Sequence, residues 1–375
     1  MVKKPSLSRK AAAKKAALKT PAQPEVPSPS PSTSLQTPVE QQRLLNIFAD
    51  AFGDVLSSDR FPALLQELKQ ALFNRDFAAA FGREDYLEAY AARWSPTRAL
   101  GYAAVFLSIR RHLNEIVEFE DGGQASEAVD AAASTSGEEV KEIKETASPL
   151  VAAGKGGRLR MVCIGGCAAE HVAFSSYIQS QDLAGRLTLV DSGPWSSVSD
   201  LLEAKITSPP PLSKYASAAA KASNQTALLR ADQVILSFAQ DDILALEDPA
   251  LAALLGDKPV VLTLMFTLNE LYTRGGIAKT TVLLKTVGQV LAGGSLLLVV
   301  DSPGSYSEAA VGKEKKKYPM QWLLDHTLLE TASPGYKWDK VESQESSWFR
   351  LPEDLHYPIQ LENMRYQLHL YRLEK

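Results

Sequence analysis

Met161-Val162-Cys163-Ile164-Gly165-Gly166-Cys167-Ala168-Ala169-Glu170 is a short apolar run that breaks into two glycines and then an acid. It reads as a buried strand that ends in a tight turn and opens a helix. In open α/β folds such a turn grips nucleotide-containing ligands: glycines let the backbone come close, and the helix aims its first N–H groups at the ligand. A tight strand-to-helix turn that binds nothing looks the same in sequence, so the surrounding residues have to decide.

Outward from this stretch the chain alternates between two periodicities. Short runs rich in Val, Leu and Ile predict strands at 159–164, 187–191, 233–238, 259–266 and 295–301. Helices fit between them at 168–179, 196–204, 243–255 and 276–292. The alternation implies right-handed crossovers and a parallel sheet covered on both faces. Residues 345–350 and 364–373 read instead as two terminal strands, the second carrying Tyr366, Leu368 and Leu370 in alternation. The expected fold class is therefore α/β, a Rossmann-like sheet with a C-terminal antiparallel strand pair.

Upstream, the apolar residues recur at helical spacing: Leu44, Leu45, Phe48 and Phe52, then Leu64, Leu65, Leu68, Leu72 and Phe73. A third helix is expected from Ser95-Pro96, serine as cap and proline in the first turn, through Tyr102, Val105, Phe106 and Ile109 to about Val117. The expected organisation has four parts. Residues 1–40 form a disordered tail, basic and then Pro/Ser-rich, and 41–119 a helical region. Residues 120–157 form an acidic flexible linker, and 158–375 the α/β domain.

At 375 residues the chain can hold one large domain with extras, or two. The net charge of −4 says little, but its distribution says more. Residues 1–19 carry seven Lys or Arg and no acid, and 120–147 carry eight acids against Lys141 and Lys144. Such blocks bury too little apolar surface to offset their ordering entropy. The lysine-rich start suits nuclear import or loose nucleic-acid contact, with a solubilising tail as the plainer reading and a transit peptide behind both. It lacks the apolar core of a secretory signal, and no stretch has the length of a membrane span. Cys163 and Cys167, the only cysteines, lack the paired spacing of a zinc site, so no metal is expected and a reduced intracellular protein is the simpler inference.

The ligand at the glycine turn can be narrowed. A dinucleotide fingerprint, Gly-x-Gly-x-x-Gly, needs its second and third glycines where this chain has Cys167 and Glu170. Glu170 puts a negative charge in the first helical turn, a poor neighbour for a diphosphate. It suits a cofactor with a cationic amino-acid tail and no phosphate, such as S-adenosylmethionine. Asp191 closes the second strand, where a carboxylate can bond both ribose hydroxyls. Asp242 follows the third, placed to accept from an adenine amino group. Asp191 could instead cap the region before Trp195, and Asp241 or Asp242 a helix near Ile243. An NAD-dependent oxidoreductase ranks last. The cofactor-binding set is thus Gly165, Gly166, Glu170, Asp191 and Asp242.

Several longer runs carry a family resemblance: Val162-Cys163-Ile164-Gly165-Gly166, then Leu262-Thr263-Leu264-Met265-Phe266-Thr267-Leu268-Asn269-Glu270-Leu271-Tyr272, and Tyr318-Pro319-Met320-Gln321-Trp322-Leu323-Leu324-Asp325-His326. Arg93-Trp94-Ser95-Pro96 and Asn363-Met364-Arg365-Tyr366 extend it. With these the chain resembles the fungal large-subunit (25S) rRNA uridine-N3 methyltransferases, of the class I S-adenosylmethionine-dependent fold, over about residues 40–375. It departs from them at Cys167, where such families usually have a third glycine. The resemblance implies methylation of a uridine at N3 in large-subunit rRNA during ribosome biogenesis, with rRNA or a pre-ribosome as partner and a nuclear or nucleolar location, cytoplasm second.

Transfer to uridine N3 requires loss of the imide proton and alignment of nitrogen, methyl carbon and sulfur. Asn269 as the base-positioning residue and Glu270 as the proton acceptor follow the fourth strand, at the sheet edge where such folds bind ligands. Glu270 could equally cap or pair within its helix, and His326 is the alternative base. N3 lies on the Watson–Crick edge, so the target must be unpaired or extruded. Lys313, Lys315, Lys316 and Lys317 are expected to form a basic loop after the fifth strand that meets phosphate, or a plain solvated loop; Arg93, Trp94 and Arg98 could extend an RNA surface. Two alternatives remain: methylation of a protein or small molecule, and an inactive methyltransferase-fold ribosome-assembly factor.

Overall fold

The apolar runs become five parallel strands: β1 (Arg158–Ile164), β2 (Ala184–Asp191), β3 (Val234–Gln240), β4 (Val261–Met265) and β5 (Leu296–Asp301). These belong to a computed structural model that describes residues 35–119, 156–212, 217, 226–304, 306–311, 314–331 and 334–375, with backbone only for 306–311 and 314–317. The basic tail to Ser34, the acidic stretch 120–155 and Lys313 lie outside the described residues. A hairpin of β6 (Tyr306–Val311) and β7 (Glu314–Pro319) stands apart from the main sheet. The last two strands, β8 (Lys337–Phe349) and β9 (Met364–Glu374), join it in the order β3-β2-β1-β4-β5-β9-β8. Strand β9 runs antiparallel to β5 with Leu370 opposite Leu298, and β8 runs antiparallel to β9. From β1 the chain winds outward to β2 and β3, then returns to the other side for β4 and β5. That reversal leaves a crevice beyond the carboxyl ends of β1 and β4.

Because side chains alternate across a strand, each one feeds two cores. Leu159, Met161 and Cys163 of β1, Leu296, Leu298 and Val300 of β5, and Leu368 and Leu370 of β9 belong to one core. Val162, Ile164, Leu297, Val299, Tyr371 and Leu373 face the other.

The first core is shared with the N-terminal helices α1 (Pro38–Ala51), α2 (Gly53–Leu56), α3 (Phe61–Phe73), α4 (Phe77–Phe81), α5 (Glu84–Arg93), α6 (Ser95–Ser108) and α7 (Arg110–Asn114). Thr37 and Glu40 form a reciprocal capping box with Pro38 at the first position, which fixes the start of α1. Helix α8 (Ala169–Ser180) lies between the sheet and α6, so every residue from Ala169 to Ile178 is buried rather than one face alone. Separated in sequence by the acidic stretch, helices and sheet belong to one unit, Leu35–Lys375. The second face is covered by α10 (Asp248–Leu255), α11 (Leu268–Val290) and α12 (Met320–Asp325), the last continuing as a π-helical turn His326–Glu330. Helix α9 (Ser196–Ile206) packs beside α1 and α8. No helix among the described residues is long and apolar enough to cross a membrane.

Several boundaries differ from the sequence expectation. Helix α11 is two helical segments that meet at a non-helical Gly276 (φ +69°): the one after it is the helix expected at 276–292, and the one before it, from Leu268, is not marked in the sequence reading. The helix expected at 243–255 starts only at Asp248, behind a turn. Ser95 is the first residue of α6 rather than its cap, and makes no capping bond. Lys315, Lys316 and Lys317 lie on β7, paired with Ala310, Ala309 and Glu308, and not in a loop.

Candidate active site

A cavity of about 450 Å³, open solvent included, lies over the carboxyl ends of β1, β2 and β4. A second of about 330 Å³ adjoins it toward β3 and the start of α11; the two share Gly165, Asp191 and Glu270.

The glycine turn forms the floor. Gly165 adopts φ +74°, and a Cβ there would collide with the side chain of Thr267. The Gly165 N–H donates to the Val190 carbonyl at 2.8 Å, and Thr267 Oγ1 donates back to the Gly165 carbonyl at 3.1 Å. A Cβ on Gly166 would occupy the position of the Glu170 carboxylate. Both glycines are thus required by backbone geometry and by the acid packed against the turn. Cys167 borders the cavity yet is only 1% exposed, and its thiol is packed into the first core. Burial and the neighbouring Asp191 and Glu170 hold that thiol well above its usual range, so it stays protonated.

Three carboxyls converge on this space. Burial lifts Glu170 to about 7, against the pull of its own N–H and of Arg98. Burial lifts Asp191 to about 6, although the Gly193 N–H donates to it at 2.7 Å. Glu270, in the first turn of α11, also stands at about 7: burial and Asp191 raise it, and Arg274, at 3.6 Å, pulls it down. Raised values mean that burial outweighs the partners each carboxylate has within the protein. A ligand that brings positive charge shifts that balance.

Asp242 reaches the second cavity, where Oδ1 accepts from the Leu244 N–H at 3.1 Å and Oδ2 faces Arg274 at 3.4 Å. It therefore stabilises its own turn as well as facing the cavity, and it does not cap α10. Arg274 also reaches Ser192 Oγ at 3.3 Å, tying the ends of β2, β3 and α11 together. Asn269 is not brought into either cavity. Its N–H donates to Asp301 at 3.2 Å and its Oδ1 is buried without a partner, on the β5 side of the helix start. His326 is also elsewhere, stacked on Trp322 and paired with Glu330 at 2.7 Å.

The opposite wall comes from the helical region: Phe81, Tyr90, Ser95 and Arg98, joined by Trp195 and Phe266. Arg98 donates to the Tyr90 hydroxyl, and its guanidinium lies 4.6 Å from the Phe266 ring centroid. Burial disfavours its charge, but Tyr90, Tyr102 and Glu170 outweigh that and hold it firmly cationic. Phe266 itself adopts φ +60°, an uncommon conformation for a bulky residue, at the junction of β4 and α11. Sequence reading placed Arg98 on an outer RNA surface and missed the aromatic wall, because these residues sit on helices far from the glycine turn in sequence.

This geometry fits a cofactor of the S-adenosylmethionine kind: a cradle that a Cβ would fill, acids that favour a cationic group, and one arginine for a carboxylate. Residues 48–372 match the family described as "Putative SAM-dependent methyltransferase". The chain is 29% identical over 332 residues to 25S rRNA (uridine(2843)-N(3))-methyltransferase of Saccharomyces cerevisiae, covering 82% of this chain and 76% of that one. Among solved structures, an O-methyltransferase family protein from Burkholderia thailandensis shares 11% identity with a TM-score of 0.33, covering 84% of this chain and 73% of its own. N-methyltransferase NodS from Bradyrhizobium japonicum WM9, in complex with S-adenosyl-L-homocysteine, shares 12% identity with a TM-score of 0.27, covering 57% of this chain and 77% of its own. Likenesses that weak carry no information about the site. The family match spans nearly all of the described sheet and helices, and the chain belongs to the S-adenosylmethionine-dependent methyltransferases.

Proposed function

We propose that the protein methylates uridine at N3 in large-subunit rRNA during ribosome biogenesis, with S-adenosylmethionine as methyl donor. The observation that carries cofactor use is the cluster of Glu170, Asp191 and Glu270 around the glycine turn, each with a raised carboxyl. The substrate assignment rests on similarity to the yeast 25S rRNA enzyme. In this reading Gly165 and Gly166 let the backbone approach the cofactor. Asp191 bonds the ribose hydroxyls, Glu170 meets the ammonium group and Arg98 the carboxylate. Asp242 accepts from the adenine amino group across the second cavity. The bound cofactor supplies an electrophilic methyl group.

Glu270 is the candidate proton acceptor. A carboxyl near 7 is half ionised at neutral pH and suits general-base work on an imide proton. Asn269 retains a structural role at the start of α11 and is not assigned to the base. Lys315, Lys316 and Lys317 stay as phosphate-contacting candidates on β7. The partner is rRNA or a pre-ribosome, and the lysine-rich tail supports a nuclear or nucleolar site of action, with the cytoplasm as second choice.

The test is transfer of tritiated methyl groups to deproteinised large-subunit rRNA by wild type and Glu270→Gln. Wild type should label the RNA, and the variant should lose roughly 10²- to 10⁴-fold in kcat. Label in protein or small molecules, with none in RNA, would defeat the substrate assignment.

A further inference from the structure

Beside the cofactor cavity lies a third cavity of about 550 Å³, open solvent included, whose lining includes Arg93, Trp94, Arg98, Phe266, Asn363 and Arg365. Arg98 and Phe266 also wall the cofactor cavity, so the two spaces meet across one side-chain layer. Arg93 lies 5.8 Å from the Trp94 ring centroid and pairs at 2.7 Å with Glu362, whose side chain is 72% exposed. The Arg93 side chain is only 12% exposed, so the cation is fixed by the lining, while the exposed Glu362 carboxylate is the partner that another anion can replace.

The lining continues onto the surface. Arg365 of β9 pairs with Trp348 of β8 across the sheet edge. Trp348 is 46% exposed, and the guanidiniums of Arg350 and Arg365 stand 5.2 and 5.8 Å from its ring centroid. Arg365 is held by a 3.0 Å bond from Nε to Ser346 Oγ. Trp348 is thus a half-exposed indole flanked by two guanidiniums at the sheet edge. The arrangement offers planar indole and guanidinium groups on which bases can stack and cations for phosphates, the chemistry that binds single-stranded nucleic acid.

Building on the proposed function, we propose that this strip is the path of the substrate strand. The target nucleotide enters the cavity between Trp94 and Phe266. A flanking base stacks on Trp348 while its phosphates meet Arg350 and Arg365. Delivery of an extruded base is thus governed by the outer face of the β8–β9 edge and by α5–α6.

The test compares wild type, Trp348→Ala and the double variant Arg350→Gln/Arg365→Gln by binding to a short fluorescent oligouridine across a salt series. It adds methyl transfer to deproteinised rRNA, with S-adenosylhomocysteine binding as the control for folding. Trp348→Ala should weaken oligouridine binding roughly 5- to 100-fold. The double variant should flatten the log–log salt slope by about 1.4. Both should raise KM for rRNA more than they lower kcat, with homocysteine-analogue binding unchanged. Wild-type affinity and slope in both variants would overturn the strip while leaving methylation of RNA intact as a separate result. A wild type that binds oligouridine through the strip but methylates no RNA would contradict the proposed function alone. A wild type with no affinity for either RNA would contradict both.

Discussion

Cofactor affinity should fall as pH drops below 7, because Glu170 must ionise to meet a cation. Its carboxyl stands at about 7 in the ligand-free protein. At pH 7.5 about three quarters of such groups are ionised, and at pH 6 about one in eleven. A ligand ammonium that pairs only with the ionised form should therefore bind roughly eightfold more weakly at pH 6, a difference of about 1.2 kcal/mol. The upper limit is kept at 7.5 because a free α-amino group titrates near 8 and should stay largely protonated. Binding should release a fraction of a proton at neutral pH, about half if Glu170 alone responds. Calorimetry of S-adenosylmethionine binding, repeated in buffers of different ionisation enthalpy, measures both quantities. In Glu170→Gln the pH dependence should shrink to the contributions of Asp191 and Glu270, and affinity at pH 7.5 should fall by about 1.5–3 kcal/mol. Affinity independent of pH, or proton uptake on binding, would refute the pairing of Glu170 with the ligand's cation.

Other expectations follow from the same geometry. The raised Glu170 carboxyl implies that wild type loses stability relative to Glu170→Gln as pH rises from about 4.5, where the unfolded chain ionises, to about 7, where the folded one does. The gap should approach on the order of 3 kcal/mol above that window and vanish below it, read from denaturant melts at several pH values. Gly165→Ala should lower Tm by a few degrees and abolish cofactor binding, since φ +74° and the Thr267 side chain both reject a Cβ. Arg274→Ala removes a cation that pulls the Glu270 carboxyl down. The acidic limb of the kcat/KM profile should then move to higher pH, with a stability loss below about 1 kcal/mol because the pairs are partly exposed. An unmoved limb would remove Glu270 as the titrating base.

The sheet was legible because its interior strands bury both faces, so β1, β4 and β5 read as continuous apolar runs. The polar edge strand β8 was underestimated, 345–350 against Lys337–Phe349, since its middle residues face solvent and no apolar run marks them. The helical segment after Gly276 was legible, and the segment from Leu268 before it was not, because it follows β4 after only two residues and its apolar residues read as a continuation of the strand. Acids at strand ends were legible because topology alone puts Asp191, Asp242 and Glu270 on one edge. The wall formed by Phe81, Tyr90 and Arg98 was not, because pairing of a helical face with a distant turn leaves no local periodicity. Asn269 and Glu270 are adjacent in sequence, yet a helix turns neighbouring side chains by about 100°, so Glu270 lines the cavity and Asn269 does not.

The central claim is that this cavity serves methyl transfer to uridine N3. It is tested most directly by incubating the purified protein with methyl-deuterated S-adenosylmethionine and deproteinised large-subunit rRNA, then digesting the RNA to nucleosides for mass spectrometry. The account predicts deuterated N3-methyluridine, absent when Glu270→Gln replaces wild type. Deuterium confined to another nucleoside, or absent from RNA while the protein binds the cofactor, would contradict it.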